Sequence, residues 1–166
     1  MQENLVNALR SQRARIRERW ETLLHAEPVT TPLADPDALV HLMEWTLGEI
    51  FRDLTAVPSR RRQGRRPTGG ENRPSCPCGL NPLLAYFAVG EQVMREALVL
   101  AQAAASALDP LDRDASLVEL DLVLHQIARR EIESFCGVCQ YRNAVPCAAS
   151  AAPTPSSRAV LAGHAR

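Results

Sequence analysis

Apolar residues recur at helical spacing in four separate runs, and no stretch alternates as a half-buried strand would. The first run covers residues 3–26, with Leu5, Leu9, Ile16, Trp20 and Leu23 as its stripe and a polar gap at Gln12 and Arg13. Arg10, Arg13, Arg15, Arg17 and Arg19 occupy the other face, and Pro28 and Pro32 end the helix. The second helix opens on Asp35-Pro36-Asp37, where Asp35 suits the N-cap, Pro36 the first turn and Asp37 the positive dipole end. Its stripe is Leu39, Leu42, Met43, Thr46, Ile50 and Leu54, reaching about Val57 before Pro58.

Asn81-Pro82 repeats the cap-then-proline pattern and opens a third helix, with Leu83, Phe87, Gly90, Met94, Leu98, Ala101, Ala105 and Leu108 on one row. Tyr86, Val93, Ala97 and Leu100 widen the face, which marks this helix as central; Asp109-Pro110 breaks it. The fourth helix is expected to start near Asp112 or Asp114 and to carry Leu117, Leu120, Leu124, Ile127, Ile132 and Phe135. It ends near Cys136-Gly137-Val138-Cys139. Trp20, Trp45, Tyr86 and Phe87 are expected to anchor the core, and Gly48 and Gly90 to allow close helix approach.

This pattern predicts an all-α fold, an up-down-up-down four-helix bundle over residues 1–142, with a basic, cysteine-bearing loop at 58–80 inside it. Residues 143–166 are low in complexity and read as a disordered tail. Helices three and four would each be ~40 Å long. Matched in length and joined by a tight turn, they bring the start of three and the end of four to one pole. In an up-down order the start of helix one and the end of helix two share that pole. Arg10, Arg13, Arg129, Arg130 and Arg142 would then surround it. The opposite pole would collect Glu27, Asp35, Asp37, Asp109, Asp112 and Asp114.

Composition sharpens the picture at a few points. With 46% hydrophobic but only 4% aromatic residues in 166, the core must be Leu, Val, Ile and Ala, which suits helices. All 19 basic residues are Arg, a usage that with much Ala and Pro fits a GC-rich, bacterial genome. The net charge of zero gives no whole-molecule argument for nucleic acid or membrane. Its distribution is uneven: between Ser59 and Pro74, Arg60, Arg61, Arg62, Arg65, Arg66 and Arg73 stand against Glu71 alone, a local +5. That stretch reads as a mobile basic loop, either solvated with no partner or docking an anionic partner or nucleic acid. For the chain as a whole a protein partner is expected, with nucleic acid and a homodimer as further options. No signal peptide and no membrane span are evident, so the expected compartment is the cytoplasm and no membrane partner is expected.

In a reducing compartment, closely spaced cysteines favour metal or redox chemistry over structural disulfides. Cys76 and Cys78 stand just before the third helix, Cys136 and Cys139 at the end of the fourth. Four thiolates converging at one pole can close around a tetrahedral zinc ion or hold an iron–sulfur cluster, and the two are not separable by spacing. The Pro and Gly residues keep the backbone close to the sulfurs, and the helix start favours thiolate charge. A thiol–disulfide switch and inert thiols are the other readings. Cys147 is the odd cysteine, incidental or a resolving thiol.

Motifs for other chemistry are missing from the sequence: no GxGxxG, phosphate loop, nucleophile elbow, His-Glu-x-x-His or Glu-x-x-His is present. The four-residue spacings Glu21–His25 and Asp121–His125 read as helix-surface pairs. Glu91 and Glu131 fall beside the apolar stripes and read as partners of Arg95 and Arg130, or as a second metal-binding pair. An enzyme is therefore disfavoured. The expected function is a small sensor or regulatory protein whose metal or cluster site controls a partner. The alternative is a metal-free helical module that docks through its arginines. The run Ile16-Arg17-Glu18-Arg19-Trp20 resembles the helical N-terminal sensor domains of stressosome-type anti-sigma regulators. That resemblance covers those five residues, and the cysteines form no part of it.

Overall fold

The computed structural model of the chain describes residues 1–29, 34–56, 76, 79–105 and 108–138. Five α-helices account for them: α1 (Glu3–Ser11), α2 (Arg13–Ala26), α3 (Pro36–Thr55), α4 (Leu83–Ala104) and α5 (Pro110–Val138). There is no strand among the described residues, and no helix there is long and apolar enough to cross a membrane. The expected tail at 143–166 and most of the expected loop at 58–80 lie outside them.

Local chemistry explains where the helices begin. Each of the last three opens on an acid or amide followed by proline. Asp35 accepts from the Asp37 N–H at 3.1 Å, Asn81 from Leu83 at 3.0 Å and Asp109 from Leu111 at 2.8 Å. Each side chain thereby satisfies one of the donors a helix start leaves open. Asp109-Pro110 is thus the opening of α5 itself and not only a break before it, so the helix starts two to four residues earlier than expected. The single first helix expected over 3–26 is two helices, α1 and α2, divided at Gln12 (φ −94°, ψ 7°). The division falls where the apolar stripe turns polar.

α1 and α2 form one rod, and with α3, α4 and α5 they make four rods around a common core. The α1–α2 rod packs on α3 and α4, and α5 packs on the same two from the other side. Directions follow from named contacts. Arg10 reaches the Phe51 carbonyl, Arg13 donates to the Glu44 carboxylate and carbonyl at 2.8 Å, and His25 meets Asp37 at 3.2 Å. The first rod and α3 are therefore antiparallel. Trp20, near the end of α2, donates to the carbonyl of Tyr86 near the start of α4. At the other extreme, Gln2 donates to Asp112 at the start of α5. Arg95–Asp121 and Asn81–Ile132 set α4 against α5.

The order is accordingly up, down, down, up, and the expected up-down-up-down sequence is replaced. α3 and α4 run the same way on a diagonal, bridged through the core by Thr46 and Tyr86, whose hydroxyls lie 2.9 Å apart. Burial pushes the Tyr86 phenol well above its ordinary range, so it stays protonated there. With α4 reversed, Thr55 at the end of α3 and Asn81 before α4 sit at opposite poles, as in bundles with a crossover connection.

Gly90 sets how deeply the first rod seats on α4. A Cβ there would lie 2.2 Å from Trp20 Cζ2, so only glycine leaves room for the fully buried indole. Trp20 also stacks on Tyr86, at 4.8 Å between ring centroids, with Phe87 edge-on to Tyr86 at 5.1 Å. Three expected apolar positions face outward instead: Leu42, Trp45 and Leu100. Trp45, expected in the core, is 46% exposed and carries the Arg130 guanidinium 5.9 Å above its ring. Leu24 rather than Leu23 is the fully inward residue near the end of α2.

Candidate functional site

Two of the expected ligands meet at the pole where α4 starts and α5 ends. Cys136 stands on the last turn of α5, and Cys76 precedes α4; their Sγ atoms are 3.0 Å apart across sixty residues of sequence. Both side chains are partly exposed. Cys78 and Cys139 lie outside the described residues, as do Cys147 and Arg60, Arg61, Arg62, Arg65 and Arg66. Among the described residues no three of His, Cys, Asp and Glu assemble as a metal-binding group.

The backbone around Cys76 is held by a tight turn. The Gly79 N–H donates to the Cys76 carbonyl at 3.0 Å, and Gly79 adopts φ +67°, the left-handed region that glycine enters without strain. That turn delivers the chain to Asn81, which the sequence marked only as a cap. Asn81 is 4% exposed and uses both ends of its amide. Its oxygen caps Leu83, and its NH2 donates to the Ile132 carbonyl at 3.3 Å and to Cys136 Sγ at 3.5 Å. One side chain therefore starts α4, ties it to α5 and orients a cysteine, the kind of contact that fixes a ligand's geometry from behind. Burial of a polar side chain at a helix junction is a tertiary property and left no mark in the spacing.

Replacing Asn81 by alanine removes all three bonds and strands buried backbone groups at both helices. The expected loss is about 2–3 kcal/mol, read as a shift of the urea midpoint without a change in slope. Asn81→Asp keeps the cap but sets a buried carboxylate oxygen against the Ile132 carbonyl, and is expected to cost at least as much as alanine.

The charge at this pole differs from that expected. Because α4 runs down, it is the end of α2 and the start of α3, with His25, Glu27, Asp35 and Asp37, that lie at the cysteine pole. Arg129 and Arg130 remain on α5 within about two turns of Cys136, and Arg142 lies outside the described residues. Glu27 lies beside Ala85 on the first turn of α4. Arg10 and Arg13, expected beside the cysteines, instead bind Phe51 and Glu44 along α3. Arg130 pairs with Glu49 at 3.3 Å and Glu131 at 2.8 Å. Asp109 and Asp112 do remain at the far pole. His25 bonds the Glu21 carbonyl through Nδ1 and Asp37 through Nε2, and the carbonyl first, then the carboxylate, hold the imidazole above its ordinary value.

Glu91 and Glu131 do not form a pair. Glu131 is held by Arg130, and Glu91 by Arg95 at 2.6 Å. Arg95 also makes two bonds to Asp121, at 2.8 and 2.9 Å, which draws α4 and α5 together at mid-height. His125, expected on the helix surface with Asp121, donates from Nδ1 to the Asp121 carbonyl at 2.7 Å. Its Nε2 turns toward Glu91, 3.9 Å away. Comparison with protein-family models, with curated proteins and with solved structures finds no match.

Proposed function

We propose that the chain is a small regulatory protein in which Cys76, Cys78, Cys136 and Cys139 bind one zinc ion, and that the bound state of this site governs contact with a protein partner. The observation that carries the reading is the 3.0 Å approach of Cys76 and Cys136. A disulfide needs about 2.05 Å. Two thiolates on one tetrahedral zinc at ~2.3 Å stand ~3.8 Å apart, so loading an ion asks for an outward shift of under an ångström. In a four-iron cluster each cysteine takes a different iron, which spreads the sulfurs further. The approach of the pair thus favours a single ion over a cluster.

Regulation enters through the topology. The clamp joins the residue preceding α4 to the last turn of α5, at the pole opposite the end of α3. The connection carrying Arg60, Arg61, Arg62, Arg65 and Arg66 would thus be held more firmly at its second end while the site is loaded. Those arginines fit an acidic protein surface. A second reading, a dithiol switch without metal, rests on the same pair, since closing from 3.0 Å to a disulfide moves each sulfur by roughly half an ångström.

Protein purified without oxygen decides between them. About one zinc per chain with no visible absorption is the expected result. A brown protein containing iron would replace zinc by a cluster. A metal-free protein whose Cys76 and Cys136 react readily with thiol reagents would overturn the metal reading in favour of the switch.

A further inference from the structure

We infer that the outer groove between α4 and α5 is a binding site for a small arylalkylamine, a one- or two-ring apolar body bearing a protonated amine. The groove measures about 280 Å³ and begins one helical turn from the cysteine pole. Antiparallel helices usually fill such a groove with long side chains. Here alanine faces it from both sides, Ala88 on α4 and Ala128 on α5, and the space between them is walled by Phe87 and Leu124. A volume near the lower end for ligand sites limits the occupant to one or two rings.

The polar end of the groove specifies the charge. Glu91 and His125 stand there, with Glu91 Oε2 3.9 Å from His125 Nε2. The Nδ1–H of His125 is committed to the Asp121 carbonyl, so Nε2 is the nitrogen turned to the groove, an acceptor whenever the ring carries a single proton. Two acceptors at that spacing are both within hydrogen-bond reach, at ~2.8 Å, of one ammonium nitrogen placed between them. The charge balance agrees. Arg95 is shared by Glu91 and Asp121, so one cation faces two carboxylates and the local excess is one negative charge. A carboxylate ligand meets repulsion there, and a purely apolar one gives Glu91 Oε2 and His125 Nε2 nothing, Arg95 being bound to the other oxygen of Glu91. The site uses none of the cysteines, so its fate does not depend on the metal reading.

Titration of the 15N-labelled full chain with phenethylamine tests the assignment. Saturable shifts are expected at Ala88, Glu91 and Ala128, with a dissociation constant in the millimolar range or tighter. Phenylacetate is expected not to bind, and uncharged 2-phenylethanol to bind more weakly. Glu91→Gln, which keeps the shape and leaves Arg95 paired with Asp121, is expected to weaken the amine roughly tenfold or more. Ala88→Leu fills the groove from an exposed position, so the fold tolerates it, and is expected to abolish binding. The proposal is overturned by shifts that do not saturate below about 10 mM or that map elsewhere. It is equally overturned if phenylacetate binds as well as the amine, or if Glu91→Gln leaves the affinity unchanged.

Discussion

Gly90→Ala is expected to destabilise the bundle by about 2 kcal/mol, although alanine is the better helix former by about 1 kcal/mol. The added Cβ would meet Trp20 Cζ2 at 2.2 Å, Cη2 at 2.6 Å and Cε2 at 2.7 Å, a rigid ring rather than the tip of a flexible chain. The indole has no room to yield. It is fully buried, its Nε1–H is bonded to the Tyr86 carbonyl at 3.1 Å, and Tyr86 stacks on its face. Relief requires the α1–α2 rod to back away from α4, which opens the core on both sides of the contact. Overpacking of this kind costs about 1–3 kcal/mol, and a strained or broken indole hydrogen bond adds about 1 kcal/mol. Thermal unfolding should show a midpoint lower by several degrees. The cause is separable from any general intolerance of helix change. With Trp20→Leu in the background, the same Gly90→Ala step should become neutral or stabilising, a coupling that a double-mutant cycle reads directly. Gly48, where a Cβ meets nothing within 4 Å, is the control: Gly48→Ala is expected to stabilise by up to about 1 kcal/mol.

Replacing Cys76 and Cys136 together by serine is expected to have the largest effect on the zinc-loaded protein and a small one on the metal-free protein. Both side chains are half-buried, so their own packing contributes little. What they would contribute is linkage, since an ion that binds only the folded chain stabilises it by about 4 kcal/mol at a thousand times its dissociation constant. Two measurements belong together here, the zinc content and the unfolding midpoint with and without a chelator. The wild-type midpoint should fall on chelation, and that of the double variant should not respond. A double variant that retains one zinc per chain would sink the four-cysteine site, and a wild-type midpoint indifferent to chelator would deny the metal any structural role. Cys147→Ser should leave both readings unchanged. Asn81 supplies a further check, because its bond to the Ile132 carbonyl does not involve sulfur and should hold α4 on α5 in the double variant.

Much of this architecture was legible along the chain because it is written in short-range chemistry. The helical periods, and the Asp35-Pro36 and Asn81-Pro82 starts, depend on residues within one turn of each other. The approach of Cys76 to Cys136, sixty residues apart, was legible for another reason: after Asp109-Pro110 the last helix packs back antiparallel along α4. The division at Gln12, the outward turn of Trp45 and the buried amide of Asn81 depend instead on what another helix presents. The direction of α4 relative to the first rod was the largest item of that kind. From residue 57 to 75 the connecting chain can extend ~60 Å, twice the ~30 Å length of α3. Its length is therefore compatible with either pole, and no local signal chooses. The choice was made by Trp20 fitting the notch at Gly90 and bonding the Tyr86 carbonyl, with Gln2 on Asp112. It put His25, Glu27, Asp35 and Asp37 at the same pole as the cysteines and Arg10 and Arg13 away from it. Sequence alone thus determined the helices, through contacts of short range, and pointed Cys76 toward Cys136. Only tertiary packing, acting between residues far apart in the chain, decided which charges share their pole.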